Sequence, residues 1–232
     1  MLRITAVKVE GARAVDPFAV EQLVWDTITG SYFYLFSKQA ALLYPKKTLA
    51  RKVLTDIPAI ETVSVKTHNR NTLVVSIGER QPAALWCGES AASSSPCLFI
   101  DQNGFAYAQA PEYSGDAYQK YYGALALGGA SSGQFLPRET FRSFTALVGA
   151  LQKQISLTLL YSAIEKNQDV QMVFAGGFTL RIPLDADNAA TVERLTLALT
   201  APVFEKHTLR ELEYLDLRFG DKLYYKLKGA SQ

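Results

Sequence analysis

Three glycine-centred reversals constrain this chain most. Asn103-Gly104, Gly176-Gly177 and Gly220-Asp221 each separate two short apolar runs. Glycine enters the left-handed region at no steric cost, and a two-residue reversal joins strands that lie side by side and antiparallel. The flanking runs are residues 98–101 and 105–108, 170–174 and 178–182, and 212–219 and 222–228. Further strands are expected at 83–87 and 157–165, and the glycine-rich stretch 123–133 reads as a strand trailing into a loop. Two helical patterns interrupt them. Phe144, Val148, Leu151 and Ile155 share one side of residues 137–155, and Val192, Leu195 and Leu199 point inward from residues 187–199.

The first third of the chain reads differently. Residues 3–10 alternate as a strand and stop at Gly11. Asp16-Pro17 is a helix start, because the carboxylate accepts from free amides and proline loses nothing at the first helical position. Val20, Leu23, Val24 and Ile28 then form a stripe that Gly30 ends. A second helix is expected from near Pro45 through Leu49, Val53 and Leu54, stopping before Pro58. Strands follow at 60–67 and 72–79, with Leu73, Val75 and Ile77 on one face. The expected fold class is α+β. A β-α-α-β-β domain over residues 1–80 precedes a mostly antiparallel β domain with two helices over residues 81–232.

Charge and composition remove several functional classes. With 24 Lys+Arg against 22 Asp+Glu the net charge is +2, which lacks the basic excess of a nucleic-acid binder. Two histidines, His68 and His207, and two cysteines make a four-ligand zinc site only if all four converge. No Gly-x-Ser-x-Gly elbow, phosphate loop or His-Glu-x-x-His is present, and Gly128, Gly129 and Gly133 are misplaced for a dinucleotide fingerprint. Asp101 and Asp216 carry simpler turn or surface roles than a catalytic pair. The expectation is a non-enzymatic protein without cofactor or metal. No apolar run approaches 18 residues, and residues 1–10 lack the apolar centre of a signal peptide.

Cys87 and Cys97 flank a small-residue loop, Gly88 to Pro96. If 83–86 and 98–100 pair as a hairpin, both sulfurs sit at its open end within bridging range. A bond there implies an oxidising compartment, and two reduced, unrelated thiols are the alternative. At the other end of the domain, Leu223, Tyr225 and Leu227 form one face of the final strand, and Lys222, Tyr224, Lys226 and Lys228 the other. A last strand leaves its outer row of N–H and C=O groups unpaired. Lysines protect such a row from uncontrolled pairing, and the same row can accept a partner's strand.

Several segments resemble the FtsQ/DivIB family of bacterial cell-division proteins. Glu79-Arg80-Gln81-Pro82-Ala83-Ala84-Leu85-Trp86 is similar to the Glu-Arg-x-Pro-x-Ala-x-Trp passage joining that family's two exported domains. Residues Phe99 to Tyr107 resemble its Leu-(Ile/Val)-Asp-x-x-Gly-x-x-(Phe/Tyr) hairpin, and Tyr214-Leu215-Asp216-Leu217-Arg218-Phe219 its Tyr-Val-Asp-Leu-Arg-Tyr strand. The order and spacing agree over essentially the whole chain. The β-α-α-β-β pattern also fits the POTRA domain that opens the family's exported region. Departures are Arg70 in place of a proline, Phe219 in place of tyrosine, and Lys226 where some relatives carry tryptophan.

The resemblance implies an extracytoplasmic scaffold of the bacterial divisome. Such proteins are single-pass in the cell membrane, with an anchor upstream of the first strand, and help control septal wall synthesis. It implies FtsB-like and FtsL-like partners, with other division proteins docking on the POTRA domain. The expected partner-binding residues are Arg218, Phe219, Lys222, Leu223, Tyr224, Tyr225 and Lys226, with Arg218 meeting a partner carboxylate. The alternative is a POTRA-containing transport or outer-envelope assembly factor, though tandem modules and a barrel pattern are both missing. A hydrolase reading would need a deep polar pocket with convergent ionisable groups.

Overall fold

In the structure, a computed structural model, residues 3–32, 36–37, 40, 44–112, 117–125, 127–129, 132–205, 207–220 and 222–229 are described. They divide into two units, Met1–Gln81 and Pro82–Gln232, and the fold is α+β.

In the first unit, strand β1 (Ala6–Glu10) leads to helix α1 (Pro17–Ile28). The Asp16 carboxylate caps that helix by accepting from the Phe18 amide at 2.9 Å. Two short strands, β2 (Ser31–Tyr32) and β3 (Phe36–Ser37), precede helix α2 (Lys46–Asp56), then β4 (Ile60–His68) and β5 (Thr72–Glu79). The sheet order is β1–β5–β4, with β1 parallel and β4 antiparallel to β5. Val20, Val24, Ile28, Leu49 and Val53 from the helices are buried with Leu73, Val75 and Ile77. The β4–β5 turn holds Asn69 at φ 46° and Arg70 at φ 63°. A proline ring fixes φ near about −65°, so this turn has no place for proline at position 70.

Glu79 closes the unit. Its carboxylate accepts the Arg13, Ala14 and Val15 amides at 2.7, 3.0 and 2.9 Å. Burial is the largest single influence on its pKa and pushes it up, but the three amides together hold it below the ordinary carboxylate range. The Arg80 amide and Nε donate to the Ala59 and Pro58 carbonyls at 2.8 and 2.9 Å. The Glu-Arg pair thus pins the exit of β5 to the loops before α1 and β4.

The second unit contains β6 (Ala84–Trp86), β7 (Leu98–Ile100), β8 (Phe105–Gln109), β9 (Lys120–Tyr122), β10 (Leu127–Gly129), β11 (Ser132–Gln134), helix α3 (Arg138–Gln154), β12 (Leu159–Ile164), β13 (Asp169–Phe174), β14 (Thr179–Pro183), helix α4 (Asn188–Leu199), β15 (Leu212–Phe219) and β16 (Lys222–Leu227). They form one large, mostly antiparallel sheet in the order β10–β11–β8–β7–β6–β9–β12–β13–β14–β15–β16. Strand β9 sits at its centre, parallel to both β6 and β12. Phe141, Phe144, Leu147, Val148 and Leu151 of α3 cover the face that carries Val170, Met172, Phe174, Leu180, Ile182, Leu212 and Leu215.

Three expectations need correction. The glycine-rich stretch does not trail away: β10 and β11 pair antiparallel, and β11 pairs β8, with residues 126, 130 and 131 outside the described set. The inward side of α4 is Thr191, Leu195 and Ala198, which recur at helical spacing, while Val192 and Leu199, one position further on, are only partly buried at its margin. Asp101 keeps its turn role but is buried, accepting the Asn103 and Phe105 amides at 2.7 and 3.1 Å. Among the described residues no helix is long and apolar enough to cross a membrane.

Candidate functional site: the β15–β16 hairpin

Strand β16 ends the sheet, and among the described residues its only pairing is with β15. Gly220 turns the hairpin at φ 59°; Asp221 lies outside the described residues. The direction of the free backbone groups follows from one hydrogen bond. The Lys228 amide donates to the Glu211 carbonyl at 2.8 Å, so it points toward β15. Peptide groups alternate sides along a strand, which turns Lys226, Tyr224 and Lys222 inward as well. Leu223, Tyr225 and Leu227 therefore direct their N–H and C=O groups away from the sheet. The partner strand is irregular at both ends, with register shifts between Leu212 and Tyr214 and between Asp216 and Phe219.

The side chains split as the alternation requires. Leu223 and Leu227 pack on the core, and Tyr225 shares their face, beside Phe204 at 6.2 Å and 43% exposed. The other face shows Tyr224 and Phe219, 47% and 53% exposed, in edge-to-face contact at 5.3 Å. Lys222 is exposed. Lys226 pairs with Glu213 at 2.9 Å, and the Lys228 ammonium donates to the Gly176 and Arg210 carbonyls, the latter at 2.7 Å. The hairpin end is thereby tied down while its middle presents aromatic area on both faces.

Arg218 is not available as expected. Its Nε and Nη2 donate to the two carboxylate oxygens of Asp216 at 2.9 and 2.6 Å, and Nη1 to Asp169. The Asp216 bond is the largest influence holding the guanidinium in its charged form. Asp216 is itself buried rather than a surface group. Burial pushes its carboxyl up, but Arg218 outweighs burial and holds it below the ordinary range. A fork-to-carboxylate pair of this kind is strong and directional.

A different cation escaped the sequence reading. Gln171, Arg181, Asp216 and Tyr224 lie in register across β13 to β16, on the face opposite Leu180 and Ile182. The Arg181 guanidinium stacks on Tyr214 at 4.5 Å, and its Nε is sealed from solvent with no acceptor among the described residues. The signal was present: the Gly176-Gly177 turn sets the register that puts Arg181 on the outer face.

At the far side of the domain, Cys87 and Cys97 are joined, with sulfurs 2.03 Å and Cα atoms 4.1 Å apart. Leu85, Phe99, Ala110 and Tyr118 pack around the bond. His207 bonds Glu211 at 2.8 Å, and His68 is an exposed residue at the end of β4. Among the described residues no three His, Cys, Asp or Glu side chains are grouped to hold a metal. In comparison with known proteins, no family profile and no curated protein matches the chain.

Proposed function

We propose that this chain is the extracytoplasmic part of an FtsQ/DivIB-type division scaffold that captures an FtsB-like partner by strand addition to β16. The observation that carries the reading is the free row at Leu223, Tyr225 and Leu227, flanked by the exposed rings of Phe219, Tyr224 and Tyr225. Backbone bonds supply the affinity of an added strand, and large aromatic contacts supply its anchors. The order β1–β5–β4 beneath two helices supports a POTRA-like reading of the first unit, the docking module for further division proteins. The partner's acidic side chain meets the terminal Nη groups of half-buried Arg181, which make no hydrogen bond among the described residues, instead of Arg218.

Proline scanning tests this. At Tyr225 the lost N–H points away from β15, so Tyr225→Pro keeps the internal ladder, and an edge strand tolerates it there. Tyr225→Ala removes the ring and keeps the N–H. Capture of the FtsB-like partner by co-purification should fall about 100-fold with proline and no more than about tenfold with alanine. Equal capture by a folded proline variant eliminates β16 as the docking edge. Arg181→Gln should weaken the complex by about tenfold and flatten its salt dependence, as measured by titration calorimetry at low and high salt.

A further inference from the structure

A cavity of about 540 Å³ opens beside the centre of the sheet, away from the β15–β16 hairpin. Tyr121 of β9 lines it, as do Gln102, Arg142 and Thr145. The Tyr121 ring packs among Phe135, Phe141 and Phe144, and only 3% of the residue is exposed. Its phenol oxygen makes no hydrogen bond among the described residues and is not sealed from solvent. The hydroxyl thus keeps some contact with solvent, on a residue that lines the cavity. Buried tyrosines normally satisfy their hydroxyls, because an unmet donor forfeits its bonds to water. Burial also pushes this phenol well above its usual range, so it remains a donor throughout the neutral range.

The second recognition group is Arg142. One Nη2 bond reaches Asn103 Oδ1 at 3.2 Å, and the nearest carboxylate oxygen, on solvent-exposed Glu139, is 3.9 Å away. That spacing leaves guanidinium donors for a ligand. The Thr145 hydroxyl donates to carbonyls of its own helix, and Gln102 contributes an exposed carboxamide. One guanidinium balances one negative charge, and with a phenol donor lining the same cavity it matches the two oxygens of a carboxylate better than a phosphate dianion.

We infer that the cavity beside Tyr121 and Arg142 binds a carboxylate, carried either by a small organic acid or by a peptide. The test uses the full chain and four probes: succinate, a short peptide with a free terminal carboxylate, its amidated form, and an amidated peptide with an internal glutamate. Binding is read from the Arg142 Nε resonance. Saturation by succinate assigns a small acid, by the free-ended peptide alone a chain terminus, and by the glutamate peptide an acidic side chain. Saturation by the amidated control, or by no probe, overturns the site. Tyr121→Phe should weaken the bound probe about tenfold while leaving the thermal midpoint unchanged or higher, because no internal bond is lost. Binding within about twofold of the parent, or a lowered midpoint, rejects the inference, since the hydroxyl would then have an internal partner.

Discussion

Arg218→Met should lower the unfolding free energy of the second unit by about 3 kcal/mol, the lower end for breaking a buried ion pair. The loss comes from what remains. Asp216 keeps a carboxylate inside the sheet with its two charged donors gone, and Asp169 of β13 loses its guanidinium partner on β15, across the intervening β14. Urea unfolding of the full chain checks this, and the double change Arg218→Met with Asp216→Asn should recover most of the loss. Acid titration supplies the sign. Asp216 has a depressed folded pKa, so its contribution is fully present above the ordinary aspartate range. It disappears as pH falls from that range through the folded value. The Asp216→Asn variant should lack that part of the acid-side slope. Reduced partner capture by Arg218 variants is then a folding effect, and the thermal midpoint of each variant separates it from a contact effect.

Replacing Cys87 and Cys97 together by serine should cost about 3 kcal/mol in the chain-entropy account of cross-links. The bond spans ten positions, and the loop it closes contains Gly88 and four serines, residues with much freedom to lose. A thiol reductant should lower the midpoint of the parent protein by a matching amount and leave the double-serine variant unchanged. A reductant-insensitive parent would show that the bond is not formed in the purified protein.

Local chemistry was the legible part of this chain. Asp16 and Asp187 announce their helices by the same device, a carboxylate accepting amides of the first turn, and glycine at a reversal predicts which strands lie side by side. Pairings across long separations left no such mark. Residues 120–122 are a three-residue strand with lysine at its head, and its two parallel neighbours lie 35 and 41 positions away in the pairs Leu85–Lys120 and Ser162–Tyr121. Nothing in Lys-Tyr-Tyr states that choice; it is made by the aromatic cluster into which Tyr121 inserts. The same limit applied to the hairpin site. Its alternating faces could be read from the apolar pattern, but the engagement of Arg218 could not, because Asp169 arrives from a neighbouring hairpin.

The irregularities at both ends of β15 carry a consequence for association. A bulge bends its strand and sharpens the local twist, so the flat portion of the rim is short. A visiting segment can stay flush with it for only a few residues before the rim curls out of line. Long, straight templates are what seed fibrous growth, and this one is interrupted on either side. At this rim, then, pairing that propagates from copy to copy is disfavoured.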